Sequence, residues 1–81
     1  MNIHEDYSRS EIEYFIDEFI FNERDREILK RRLLDGALYK ELANEFHLDY
    51  DYIRKELLPK CESKLFRRIE KWEKRNPRNP L

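Results

Sequence analysis

An 81-residue chain that is 40% hydrophobic and 43% charged has room for one domain and a thin core, and little for a catalytic cleft. Five phenylalanines, five tyrosines and a tryptophan exceed what a disordered chain of this charge carries, and the single cysteine, Cys61, excludes an internal disulfide framework and a cysteine-based zinc site. The net charge of −1 hides an asymmetry: residues 1–27 hold nine acids against three Lys/Arg, and residues 54–81 hold ten Lys/Arg against four acids. Either the two ends lie side by side and neutralise each other, or each faces its own partner.

Residues 1–7 show no periodicity and are expected to form a loose leader. A single helical domain is expected over 8–75. Its first helix opens with capping-box spacing, Ser8 with Glu11 or Ser10 with Glu13, and then places Ile12, Phe15, Ile16, Phe19 and Ile20 on one face. The aromatic residues Phe15, Phe19 and Phe21, with Tyr14 beside them, serve either as internal core or as a homodimer contact. Asn22 is placed to cap a second helix whose first turn carries Glu23 and Asp25 and whose inner face is Ile28, Leu29 and Leu33. Gly36, the only glycine, suits a left-handed helix end.

"LYKELANEF" predicts a third helix with Leu42, Ala43 and Phe46 inward, "HL" a turn, and "YDYIRKELL" a fourth helix capped by Asp49 with Ile53 and Leu57 inward. Pro59 lacks a backbone donor and is expected to kink or end that helix. Cys61, Leu65, Ile69 and Trp72 recur at spacings of four, four and three and predict a long final helix over 60–75, followed by a flexible Pro-punctuated tail, 76–81. The fold class is all-α, a small helical domain of about five helices. No apolar run approaches a membrane span and no signal-peptide pattern opens the chain, so a reduced thiol, a cytoplasmic location and no membrane partner are expected.

The segment 39–58 has the spacing of a helix-turn-helix: small Ala43 where two helices cross, and Leu42, Phe46, Leu48, Ile53 and Leu57 to pin them. At these residues the sequence resembles the fourth region of bacterial sigma factors, from about Asn22 to Leu65. "NERDREILKRRLLDG" is similar to that family's opening helix, "YKELA" to its Tyr-x-Glu-Ile-Ala, and "HLDYDYIRKEL" to its turn, cap and reading helix. Leu38 stands where the family has a Ser or Thr cap, His47 where it has a turn glycine, Asp49 where it has a Ser cap, and Pro59 where its helix continues. A non-glycine residue at the turn, His47, would take positive φ there.

The resemblance implies an isolated sigma-region-four-like transcriptional regulator, of phage or mobile-element kind, whose partner is double-stranded DNA. With Ile53 and Leu57 inward, Tyr50, Asp51, Arg54, Lys55 and Leu58 lie outward or on the flanks. Arg54 and Lys55 suit guanine edges or phosphate, and Asp51 suits a cytosine amino group. Tyr50 sits beside them, or packs on the first helix together with Tyr52. Tyr39 and Lys40 meet the DNA backbone, and Lys60 and Lys64, with Arg67, Arg68 and Lys71, extend the phosphate contact. The alternative is a protein-interaction module of phage or mobile-element origin whose acidic front binds RNA polymerase or a sigma factor without touching DNA. His4 and His47 lack partners at metal-ligand spacing, and no nucleophile accompanies the acids of the first helix, so neither a metal, a cofactor nor catalysis is expected.

Overall fold

The computed structural model describes residues 3–76, and all their regular structure is helical. Six α segments follow one another: α1 Ile3–Asp6, α2 Arg9–Phe19, α3 Glu23–Leu34, α4 Tyr39–Phe46, α5 Tyr50–Tyr52 and α6 Leu58–Arg75, with a π-helical turn, Ile53–Leu57, between the last two. Tyr52, Ile53, Leu57 and Leu58 all keep right-handed helical angles, so α5, the π turn and α6 form one continuous rod. The bodies in space are therefore five. The domain is elongated, 46 × 19 × 19 Å.

Helix ends are set by local chemistry. At α2, the Ser8 hydroxyl accepts from the Glu11 amide while the Glu11 carboxylate accepts from the Ser8 amide, which selects Ser8 over Ser10 as the cap. Asn22 accepts from Asp25 N at 3.1 Å and Asp49 from Tyr52 N at 3.0 Å, each satisfying an orphan donor of the first turn. Leu38 has no such acceptor; the Glu41 carboxylate accepts instead from the Leu38 amide, at 2.8 Å. Gly36 ends α3 at φ 69° with open space where a Cβ would sit, so the backbone angle and not crowding calls for glycine. His47 ends α4 at φ 55°, the positive φ expected of it, and the Leu48 amide donates to the Ala43 carbonyl at 3.1 Å, the bond of a Schellman ending.

α2 and α3 form a hairpin closed at both ends. Arg9, at the start of α2, donates to the Leu34 carbonyl at 2.7 Å and to Asp35 at 2.9 Å, placing a cation at the C-terminus of α3. Lys30 meets Asp17 at 2.7 Å along the hairpin, and Arg26 donates to the Ile20 carbonyl at its connection. Arg31 ties α3 to α4 through Glu45 at 2.9 Å. The core lies between this hairpin and α6: Ile12, Phe15 and Ile16 from α2, Ile28 and Leu29 from α3, and Leu58, Leu65 and Ile69 from α6 are at most 2% exposed. Each such side chain contributes about 1.5–3 kcal/mol by leaving water. Phe15 is its hub, edge-on to Tyr7 at 4.9 Å and to Trp72 at 5.0 Å and stacked on Phe19 at 5.8 Å. Phe15 and Phe19 thus belong to the core, whereas Tyr14 and Phe21 are exposed.

Two expectations are corrected and a third is narrowed. Residues 3–7 are not a loose leader: Ile3 and Tyr7 are buried in the core, and the Tyr7 hydroxyl donates to Glu73 at the far end of the chain. Of the two outcomes expected at Pro59, a kink or an end, the end does not occur. A proline cannot donate, and its ring crowds the carbonyl four residues back; the π turn widens the backbone just ahead of it, with Leu58 N donating to Ile53 O, and the rod continues. The same extra residue in the turn brings Leu58 inward beside Leu57, so Leu58 is buried and not on the flank. The tail, apart from Asn76, lies outside the described residues. Leu58→Ala is therefore expected to cost about 2–5 kcal/mol in urea unfolding, as a core truncation does, whereas a flank leucine would lose a few tenths.

Candidate nucleic-acid interface

The sequence-predicted residues fall into two groups. The first is a ladder of rings and cations across α3, α4 and the start of the rod. The Arg32 guanidinium lies 4.3 Å from the centre of the Tyr39 ring, Tyr39 meets Tyr50 edge-on at 6.3 Å, and Arg54 stands 5.8 Å from the Tyr50 ring. Tyr50 is exposed and does not pack on α2. Lys40, Asp51 and Lys55 are exposed beside this ladder, while Ile53 and Leu57 point into the core. Arg54 approaches Asp51 at 3.5 Å, the limit of a hydrogen bond, with the two side chains 42% and 64% exposed. Such a pair in water holds weakly and exchanges its carboxylate readily for another anion.

Arg32 escaped sequence reading. It sits in the helical stretch "LKRRLL", where it reads as one of three solvated cations favoured near a helix end. In the fold it donates to the Ala37 carbonyl at 2.8 Å and spreads over Tyr39, so it fixes the entry to α4 and orients the first ring of the ladder. Only the tertiary placement of Tyr39 gives that away.

The second group lies along α6. Lys60 and Lys64 line a shallow groove with Ser63, Arg67, Arg68 and Lys71. All six are exposed, and among the described residues none of these five cations forms an ion pair. Lys60 also borders a hollow lined by Tyr52, Glu56 and Leu57, which links the groove to the start of the rod but puts a carboxylate at the junction. Among the described residues no acid of α2 forms an ion pair with these five cations; Asp17 of α2 pairs with Lys30 of α3 instead.

The buried Cys61 thiol is pushed up to about 11 by loss of hydration and by Asp25, which keeps it a neutral part of the core at neutral pH. Hydrogen bonds from Arg9 and then Arg31 hold the Asp35 carboxyl below its usual range. Among the described residues no group of three or more His, Cys, Asp or Glu side chains converges to hold a metal ion, and no helix is long and apolar enough to cross a membrane.

Glu62, half-buried on α6, is held above the usual carboxylate range by desolvation, against the opposite pull of Arg32. Folding therefore favours its protonated form. The stability this gives is present below the unfolded value near 4.5 and is lost as pH rises through the folded value. Glu62→Gln, which keeps the shape without the charge, is expected to be more stable than the parent at neutral pH, with the advantage shrinking as pH falls below that range; thermal melts across the interval check it.

Comparisons with protein-family models, with curated proteins and with solved structures find no match to this chain.

Proposed function

We propose that α4 and the start of the rod act as a helix-turn-helix that reads duplex DNA, as a transcriptional regulator of the kind that the sigma-region-four resemblance implies. The observation that carries this reading is the contiguous surface of Tyr39, Tyr50 and Arg54, with Lys40 and Lys55 beside it, at the N-terminal ends of two helices joined by a three-residue turn. Helix N-terminal residues are those that enter a major groove and meet flanking phosphates. Arg54, released from Asp51, has the forked donors for guanine, and Lys55 for guanine or phosphate. Tyr39 and Lys40 face the backbone, and Lys60 adjoins it. A module of this size makes few base contacts, so a second copy of the chain or a bound polymerase would raise its affinity.

A second reading keeps the fold and changes the partner. α2 exposes Tyr14 (51%) beside Glu13, Asp17 and Glu18, an aromatic residue in an acidic field, and such a face suits a basic protein surface on RNA polymerase or a sigma factor.

Selection from a random duplex pool, with the mass of the free and bound protein measured alongside, tests the first reading. Binding is expected to fall steeply with salt, and Arg54→Ala with Lys55→Ala to weaken the selected site by about ten- to a hundredfold, as losing base-edge contacts does. No binding to any duplex at low salt, together with recovery of polymerase after nuclease treatment and loss of that recovery in Glu13→Lys with Glu18→Lys, selects the second.

A further inference from the structure

We propose that the α6 groove and Phe21 together form a binding site for single-stranded nucleic acid. Lys60, Lys64, Arg67, Arg68 and Lys71 stand at i, i+4, i+7, i+8 and i+11, on one face of α6 over about 16 Å at 1.5 Å per residue. The groove that they line with Ser63 encloses about 400 Å³ and has no acid in its wall. It is a track for a polyanionic backbone whose cations are not spent on ion pairs within the described part of the protein.

Phe21 supplies the second element. It is 74% exposed, in the connection between α2 and α3, and the Lys64 ammonium lies 5.7 Å from its ring centre. Among the described residues no other exposed ring lies over a cation of this groove. A ring held at the rim of a positive groove is what an unpaired base needs: the cations follow the phosphates and the base stacks on the ring. In a duplex the base faces are covered by their neighbours, so a duplex would use the cations and leave Phe21 idle. An anionic lipid surface would ask for a broad apolar face beside the cations. That face of α6, built from Leu58, Cys61, Leu65 and Ile69, is buried in the core.

This site adjoins the duplex-reading surface at Lys60 and is otherwise built from other residues, and one titration separates the two. Fluorescence anisotropy of a labelled oligothymidine, a duplex of equal length and phosphatidylglycerol vesicles is followed across a salt series. Oligothymidine is expected to bind, with a slope of log affinity against log salt of at most about −3.5 for five phosphates. Phe21→Ala is expected to weaken it about tenfold with the slope unchanged, as losing one stacked base does, and Arg67→Ala to reduce the slope by about 0.7. Both positions are exposed, so both variants should fold as the parent does by circular dichroism. Arg54→Ala with Lys55→Ala is expected to leave oligothymidine binding intact whatever it does to the duplex. No oligothymidine binding at low salt, equal binding by Phe21→Ala and parent, or capture by vesicles alone overturns the proposal.

Discussion

The seam between α6 and the α2–α3 hairpin is the contact on which every other feature rests. Leu58, Leu65 and Ile69 leave water by meeting Ile12, Phe15, Ile16, Ile28 and Leu29, and Leu42 and Ile53 extend the same core toward α4. A domain this small buries a limited fraction of its surface, so residues at both ends of the described part are recruited. Tyr7 seals one side of Phe15 and reaches Glu73, and Trp72 closes another. With its apolar face fixed in the seam, α6 can only turn its lysines and arginines outward. The concentration of positive charge on one side of the molecule follows from that packing.

Much of this architecture was legible in the residues because its causes are local. Capping by Ser8, Asn22 and Asp49 depends on side chains within three residues of the amide they satisfy, and the apolar stripes of α2 and α6 repeat at the helical period. Positive φ at Gly36 and His47 follows from where two helices must stop. What escaped was non-local or aperiodic. Ile3 and Tyr7 are in no repeating pattern; their burial depends on elements far along the chain. Leu58 read as a flank residue because a period of 3.6 was carried through a turn that departs from it.

The candidate surfaces divide in the same way. Exposure of Tyr50, Asp51, Arg54 and Lys55 follows directly from burial of Ile53 and Leu57, so sequence spacing sufficed. The ladder from Arg32 to Arg54 passes through three segments, and its first rung depends on how α3 and α4 pack, which no local pattern encodes. The helical spacing of Lys60, Lys64, Arg67, Arg68 and Lys71 puts them on one face of the last helix, and in space these five line the α6 groove together with Ser63.

The π turn at Ile53–Leu57 has a consequence for the rod that carries it. Its five residues turn through less arc than five α-helical residues would, by roughly a quarter of a revolution. Arg54 and Lys55 stand in the first half of that turn and the α6 cations after it, on one continuous rod. The turn therefore sets the azimuth between the two cationic faces, as a keyway sets one wheel against another on a shaft. Converting it to regular α-helix would preserve both faces and lose their relative phase.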